Sequence, residues 1–278
     1  MNAGSDDLNA SIYNVKKRML WMANKCGSNT HIGGAFSMAD ILTVLYKSVL
    51  NYDFSNTEWE GRDRFILSKG HCVVALYAVL AECGILSEEE LMTFQKNGSE
   101  LCAHPVMNLP KGIESSNGSL GQGISMAAGI AKSAKLLAKE YKVYTLIGNG
   151  ESNEGSVWET AMLAAHWGLD NFTVILDNNS MQSDGDSKDI LNMEDIAEKW
   201  RCFGFTVYQI DGHNITEILK AFESPFHGKP KIIIADTIKG HGISFMENNN
   251  AWHHNRLTER YYELACQELE GQRDGDFQ

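Results

Sequence analysis

Two glycine- and amide-rich segments could bind a phosphate group together with a divalent cation. The first, IGNGESNEG, follows a short apolar run and places Asn149 between Gly148 and Gly150. The second, LDNNSMQSDG, follows the next apolar run and contains Asn179. The glycines permit a tight turn with accessible backbone amides, and the start of the following helix favours an anion. Because Asn149 and Asn179 are separated by about one βαβ unit, both can reach one point, where amide and phosphate oxygens suit Mg²⁺ or Ca²⁺.

Alternating short apolar runs and amphipathic segments predict an α/β protein. Segments with helical periodicity separate five strand-like runs, at residues 64–67, 143–147, 172–176, 206–210 and 231–235. This alternation predicts a doubly wound, mainly parallel sheet flanked by helices, with the ligand-binding loops along one edge. We expect a single domain over residues 1–278, with a frayed tail at about 267–278. A helix is predicted over residues 38–50, with Ser37 as its N-cap.

The composition disfavours several classes of function. The chain has 278 residues, a net charge of -12 and 43% hydrophobic residues, which is typical of a globular protein. The excess of acidic residues disfavours binding to a nucleic-acid backbone. No segment approaches the ~18 apolar residues of a membrane span, and the acidic N-terminus does not resemble a signal peptide. Six scattered cysteines without metal-binding spacing are typical of a reducing compartment, so we expect a cytoplasmic protein without nucleic-acid or membrane partners.

Six motifs, in order, resemble the N-terminal region of transketolases. They are SKGHCVVALYAVL, the HP of His104 and Pro105, NGSLGQG, EGSVWE, DNNSMQSDG and KGHG, and they extend across nearly the whole chain. The paired loops also resemble the thiamine-diphosphate signature, GDG followed about thirty residues later by Asn. The resemblance implies thiamine diphosphate and Mg²⁺ (or Ca²⁺) as cofactors. It further implies transfer of a two-carbon ketol unit from a ketose, or ketose phosphate, to an aldose.

The resemblance also implies roles for individual residues. The implied metal ligands are Asn149, Asn179 and the backbone carbonyl of Met181. The residues implied to contact the cofactor are His71, Gly118, Leu120, Gly150, Glu151, Asn179 and His241. The residues implied to act in catalysis are His31, His104 and His241, together with Glu154 in an acidic network between paired cofactor sites. The histidines interpreted as surface or packing residues are His166, His213, His227, His253 and His254.

The sequence departs from the family's pattern in two ways. Position 149 is Asn where transketolases have Asp, so the predicted metal site loses one negative charge, and we expect weaker rather than abolished binding. No segment resembles the family's pyrimidine domain, which supplies the glutamate that activates the cofactor. We therefore expect a separate C-terminal (pyrimidine-domain) subunit, in an α2β2 assembly that acts on small sugars or sugar phosphates. A longer transketolase that had been truncated after this domain would show the same sequence pattern as a natural separate subunit.

Two alternative functions are compatible with the same residues. One is another thiamine-diphosphate-dependent acyl or ketol transfer, for instance from a 2-oxo acid or a sulfo-sugar, because the residues that grip the substrate belong largely to the pyrimidine domain. The other is a non-catalytic, degenerate subunit, because Asn149 replaces the metal-binding Asp. A dinucleotide-binding protein is disfavoured, since GNGESNEG lacks the GxGxxG spacing.

Overall fold

The computed structural model describes residues 5–275 and contains a five-stranded sheet with helices on both faces. The strands are β1 Arg64–Leu67, β2 Val143–Gly148, β3 Phe172–Asn178, β4 Thr206–Asp211 and β5 Lys231–Asp236. The helices are α1 Ser5–Lys25, α2 Gly33–Val44, α3 Val73–Glu82, α4 Glu88–Leu91, α5 Gln122–Leu136, α6 Gly155–His166, α7 Ser187–Leu191, α8 Ile196–Cys202, α9 Ile215–Glu223 and α10 Glu259–Gly275. All five predicted strands are present.

The strands are parallel and lie in the order β1-β2-β3-β5-β4. This arrangement confirms the predicted doubly wound sheet. Gly148 at the end of β2 pairs with Asp177, and Asn178 at the end of β3 pairs with Asp236 of β5. The loops that leave β2, β3 and β5 are therefore neighbours at the carboxyl edge of the sheet, where ligands bind in open α/β folds.

The two faces of the sheet bury alternate side chains, because successive residues of a strand point in opposite directions. In β2, Tyr144 and Leu146 pack with buried residues of α1, α2, α3 and α9. Val143 and Ile147 of the same strand pack on the other face with residues of α5, α6 and α8. A rigid core on each side thus fixes the strand ends. None of the helices within residues 5–275 is both long enough and apolar enough to cross a membrane.

The helix that we predicted to start after Ser37 starts earlier, at Gly33. Ser37 therefore lies inside α2 and is not an N-cap, so this prediction was wrong. Its hydroxyl instead donates to Asp177 Oδ2 at 2.6 Å and to the carbonyl of Gly34 at 3.0 Å. The hydroxyl fixes α2 against the exit of β3, which is a tertiary contact that local sequence does not encode.

The C-terminal helix α10 includes most of the segment 267–278 that we expected to fray. Leu269 is buried in the core, and Gln272 donates to the carbonyl of Gly242 at 2.7 Å. These contacts hold α10 against the body of the protein as far as Gln272, and the helix extends to Gly275. Residues 276–278 lie outside the described part of the chain.

Candidate active site

A cavity of about 540 Å³ lies at the carboxyl edge of the sheet, over the ends of β2 and β3. It brings together all of the predicted site residues except His104 and His241. The predicted residues that line it are His31, His71, Gly118, Leu120, Asn149, Gly150, Glu151, Glu154, Asn179 and Met181. Segments far apart in sequence therefore converge on one volume, as expected of a site built at a sheet edge.

The three predicted metal ligands are neighbours between β2 and β3. Asn149 Oδ1 accepts a hydrogen bond from the amide of Ser180 at 3.0 Å. Asn179 Oδ1 accepts from the amide of Met181 at 3.1 Å. Because a carbonyl oxygen has two lone pairs, each amide oxygen keeps one for a cation. A second cavity of about 560 Å³ also reaches Asn149, Asn179 and Met181, so these residues are accessible from two sides.

A buried carboxylate, Asp177, holds the predicted ligand Asn179 in place. Asn179 Nδ2 donates to Asp177 Oδ2 at 3.0 Å, and Thr237 Oγ1 donates to Oδ1 at 2.5 Å. The ammonium of Lys69 forms an ion pair with the same carboxylate, and both side chains are almost fully buried. Burial opposes the charge on Lys69, but the attraction of Asp177 outweighs it and raises the lysine's pKa. The amide of Asn179 is thereby fixed with its oxygen directed away from Asp177.

Three imidazoles form a triangle in the cavity. The ring centroids of His31 and His71 are 5.0 Å apart, and His253 lies 5.3 Å from His31 and 5.6 Å from His71. Burial lowers the pKa of His31 to about 3 and that of His253 to about 4, and it holds the pKa of His71 well below its usual range. All three rings are therefore neutral near pH 7, and each offers one N–H donor and one acceptor nitrogen.

The predicted catalytic residue His104 borders the cavity. Its ring centroid is 6.0 Å from that of His31, and a β-carbon placed on Gly118 would come within 3.8 Å of its ring. Burial lowers the pKa of His104, so this ring is also neutral at pH 7. His254 stacks on His31, with a distance of 4.2 Å between the ring centroids. A group of imidazoles thus borders the cavity, and its lining also includes the acidic side chains of Glu151, Glu154 and Asp184.

His241 does not reach this cavity, which contradicts its predicted role. Its ring stacks on that of His213 with a centroid distance of 3.5 Å, and both rings line a different cavity of about 340 Å³. The physical reason is a reversal of the chain at Gly240 and Gly242, whose φ angles are +80° and +90°. This turn directs the side chain of Lys239 into the active-site cavity and that of His241 away from it.

Lys239 and His253 also line the cavity, although neither was predicted from the sequence as a site residue. Lys239 Nζ donates to the carbonyl of Gln182 at 3.0 Å and to Asn250 Oδ1 at 2.8 Å. Both of these hydrogen-bond partners are neutral. Burial lowers the pKa of Lys239 to about 8. A signal was present in the repeated tripeptide Lys-Gly-His, at residues 69–71 and 239–241. For His253, no glycine- or proline-marked loop distinguished it from a surface histidine.

The two acidic residues of the βα turn differ in environment. Glu151 is buried and accepts hydrogen bonds from the hydroxyl of Ser68 and from the amide of Gly121 at 2.9 Å. Burial raises the pKa of Glu151 despite these hydrogen bonds. Its carboxyl joins three loops around the cavity and supports the site from beneath. Glu154 is exposed at the start of α6 and lies against Gly121.

The cavity is polar, lies at the carboxyl edge of a parallel sheet, and contains a buried lysine and amide oxygens that each keep one lone pair. These features define an α/β protein whose site suits an anionic ligand. The chain matches the transketolase thiamine diphosphate binding domain over residues 14–274. It is therefore a member of the transketolase family.

Similar proteins include separate subunits and longer enzymes. The chain is 42% identical over 258 residues to a 6-deoxy-6-sulfo-D-fructose transketolase subunit of Clostridium sp. (strain MSTE9), covering 92% of this chain and 94% of that protein. It is 38% identical to an apulose-4-phosphate transketolase subunit of Phocaeicola vulgatus, over 91% and 90% of the two chains. The transketolase structure from Campylobacter jejuni superposes with a TM-score of 0.84 at 30% identity. That match covers 95% of this chain but only 42% of that one.

The cavity fits thiamine diphosphate through its donors. Asn153 Nδ2 is buried without a hydrogen-bond partner in the described part of the chain, so it can donate to a diphosphate oxygen. Lys239 adds a buried positive charge nearby. A β-carbon on Gly118 would meet only the ring of His104, so that side of the cavity has room for a flat ring system. The metal-binding set of Asn149, Asn179 and Met181 fits a hard cation by atom type, although all its oxygens are neutral.

Proposed function

We propose that this chain is the thiamine-diphosphate-binding subunit of a two-subunit transketolase. The enzyme would transfer a two-carbon ketol unit from a ketose, or ketose phosphate, to an aldose. The observation that carries the proposal is the single cavity that joins three neutral imidazoles to the Asn149, Asn179 and Met181 oxygens. Relatives of similar length that are named as transketolase subunits support the two-subunit arrangement.

In this proposal Asn149, Asn179 and the carbonyl of Met181 bind Mg²⁺ or Ca²⁺, which anchors the diphosphate. Lys239 contributes the charge that the neutral ligands lack, and the orphaned amide of Asn153 donates to a phosphate oxygen. The remaining cofactor contacts are assigned to His71, Gly118, Leu120, Gly150 and Glu151. Thiamine diphosphate, when bound, supplies the electron sink for cleavage of the donor's carbon–carbon bond.

The protein's own share of the chemistry is orientation and proton transfer. The neutral rings of His31, His104 and His253 can donate to, or accept from, hydroxyl groups of the sugar. Because burial keeps these rings uncharged, each can take a proton from a hydroxyl and return it without a charge left in the cavity. His253 replaces His241 in this set, since only His253 lies in the cavity.

The partner in this proposal is a pyrimidine-domain subunit, with two copies of each chain in an α2β2 assembly. That subunit would supply the glutamate that activates the cofactor and the residues that bind the far end of the sugar. Glu154, exposed beside the cavity, would join the acidic network between the two cofactor sites. The sugars in the names of the two relatives are ketoses with a sulfonate or a phosphate group, so we propose a ketose with an anionic end group as the substrate class.

The test is reconstitution of the complex. The chain is mixed with a pyrimidine-domain chain in the presence of Mg²⁺ and thiamine diphosphate. Transfer to an aldose acceptor is then measured with 6-deoxy-6-sulfo-D-fructose, apulose 4-phosphate and fructose 6-phosphate. We expect turnover that requires both chains and the cofactor. A complex that assembles and binds cofactor but transfers no ketol unit from any of these donors would instead favour another thiamine-dependent reaction.

The non-catalytic alternative makes a different prediction for the same mixture. It is favoured by one observation, the neutral side chain at position 149, whose oxygen and amide already have partners in Ser180 and Asn178. A non-catalytic subunit would assemble with its partner but would not bind thiamine diphosphate at any practical Mg²⁺ concentration. Equilibrium dialysis of the complex separates this case from the catalytic one.

A further inference from the structure

A second polar cluster lies outside the active-site cavity, around the buried carboxylate of Asp40. The Nδ1 atom of His213 is 2.6 Å from Asp40 Oδ2, and that of His241 is 3.5 Å from the same oxygen. The ammonium of Lys16 lies 2.8 Å from Asp40 Oδ1. Asp40 is 3% exposed and Lys16 is 6% exposed. These groups connect α1, α2 and the loops that follow β4 and β5, segments that are distant in sequence.

An aspartate and two histidines at this spacing have the composition of a metal site, but the hydrogen bonds of His213 exclude that use. The backbone amide of Ile238 donates to His213 Nε2 at 3.0 Å, so Nε2 carries no proton. In a neutral imidazole the proton must then be on Nδ1, which points at Asp40 and has no lone pair for a metal. Lys16 already balances the charge of the carboxylate and would repel a cation.

We infer that Asp40 and His213 are positioning residues that fix the exit of β5 so that Lys239 enters the active-site cavity. His213 binds Asp40 through one nitrogen and the Ile238 amide through the other, which ties the residue before Lys239 to the core. His241, two residues after Lys239, stacks on the other side of the same ring.

The chain that leaves β5 is also held at Lys239 and Gly240, between Ile238 and His241. The amide of Gly240 donates to the carbonyl of Gly33 at 2.9 Å, and the amide of Asn248 donates to the carbonyl of Lys239 at 2.9 Å. A β-carbon on Gly33 would come within 2.9 Å of the Trp252 carbonyl, so this region tolerates little movement. Displacement of the β5 exit would therefore move Lys239 out of line with the cavity.

The consequence for function rests on the proposed function, because it takes the diphosphate as the ligand of Lys239. A misplaced ammonium weakens the binding of the anion but leaves the imidazoles of the cavity in place. The cofactor's affinity should therefore fall while turnover at saturating cofactor is largely kept. Substitution of a residue that only stabilised the fold would change both the cofactor affinity and the turnover, or neither of them.

Two substitutions of His213 separate its two hydrogen bonds. The side chain of His213→Asn can still donate to Asp40 but is too short to accept from Ile238. The longer side chain of His213→Gln can place its oxygen where Nε2 lies. In the full chain without cofactor, we expect the larger increase in amide hydrogen exchange of the 237–241 segment for His213→Asn, which loses the contact with Ile238. We expect a smaller increase for His213→Gln, which keeps that contact but loses the one with Asp40. In the reconstituted complex, His213→Asn should raise the Kd for thiamine diphosphate about tenfold, as expected for one lost hydrogen bond, with kcat at saturation within about twofold.

Several results would overturn the inference. One is a His213→Asn variant whose amide exchange and cofactor affinity match those of the parent. Another is an equal loss of exchange protection and cofactor affinity in both variants, together with a general drop in thermal stability. Binding of Zn²⁺ that His213→Asn abolishes would also overturn it, since the metal needs the Nδ1 lone pair. If the parent complex does not bind thiamine diphosphate at all, the proposed function fails, and the exchange measurement on the cofactor-free chain still decides the positioning role.

Discussion

The side-chain oxygen of Asn149 accepts a hydrogen bond from the backbone amide of Ser180 at 3.0 Å, which joins the ends of two adjacent strands. The amide nitrogen of Asn149 donates to Asn178, and Asn178 in turn donates to Asp236 at 2.6 Å. An aspartate at position 149 could not donate to Asn178. The neutral side chain of Asn149 thus links the ends of β2 and β3 through hydrogen bonds. An acidic side chain at this position would need a bound cation to link them.

Restoring the acidic residue should therefore strengthen metal binding. We expect Asn149→Asp to lower the Kd for Mg²⁺, in the presence of thiamine diphosphate, on the order of tenfold, because a charged oxygen replaces a neutral one. Calorimetric titration of the reconstituted complex measures this value. Asn153→Asp is a matched control, since it adds the same charge to the same turn but removes the amide that faces the cavity. It should weaken cofactor binding, and equal affinities for Asn149→Asp and the parent would refute the expectation.

A second prediction concerns which histidine acts in the cavity. We expect His253→Ala to reduce kcat/KM for the donor at least 100-fold, because general acid–base groups contribute about 10²–10⁴ to rate. His31→Ala should cause a comparable loss. Steady-state kinetics of the complex give these values, with His227→Asn as the control. His227 is exposed, and its φ of +52° is tolerated by Asn. A His253→Ala variant with parental kcat/KM would remove this ring from the mechanism.

The sequence was sufficient for the sheet and for the loops that carry Asn149 and Asn179, because both follow from spacing along one βαβ unit. Strand ends in a parallel sheet have a fixed position, so residues next to them can be placed without coordinates. His31 and His71 were expected in the site because of the resemblance to the transketolase motifs, not because of strand spacing, and both line the cavity.

The loop after β5 was harder to interpret, because its course depends on contacts from other elements. Whether Lys239 or His241 faces the cavity is decided by the positive φ of Gly240 and by the hold of His213 on Ile238. The ion pair of Lys69 with Asp177 likewise joins residues on different strands. Neither relationship leaves a periodic trace in the sequence, so the sequence alone does not show that Lys239 of the KGHG motif lines the cavity while His241 lines a different one.

The neutral histidines of the cavity predict a loss of stability in acid. The folded pKa values of His31 and His253, about 3 and about 4, lie below the value of about 6.5 in the unfolded chain. Between those limits the unfolded state binds protons that the folded state does not. The free energy of unfolding therefore decreases as the pH falls from about 6.5 towards 4. Because both rings are partly exposed, solvent screening reduces the size of the effect.

This linkage is tested by urea denaturation at pH 7.0 and 5.0. The decrease in unfolding free energy between the two pH values should be smaller in His31→Gln and in His253→Gln than in the parent chain, since Gln has no proton to bind. His227→Asn, which changes an exposed ring, should keep the parental decrease. A parental pH dependence in both cavity variants would show that these rings do not control stability in acid.

Cofactor binding should take up a proton at alkaline pH, through Lys239. Burial lowers the pKa of this lysine to about 8, so close to half of the free protein carries it uncharged at pH 8. A diphosphate beside the amine favours the charged form and raises the pKa again. Binding at pH 8 to 9 should therefore be accompanied by uptake of roughly half a proton per site or more. Calorimetry in two buffers with different ionisation enthalpies measures this uptake. Lys239→Arg, which stays charged throughout this range, should bind the cofactor with much smaller proton uptake, and an unchanged value would mean that the proton goes to another group.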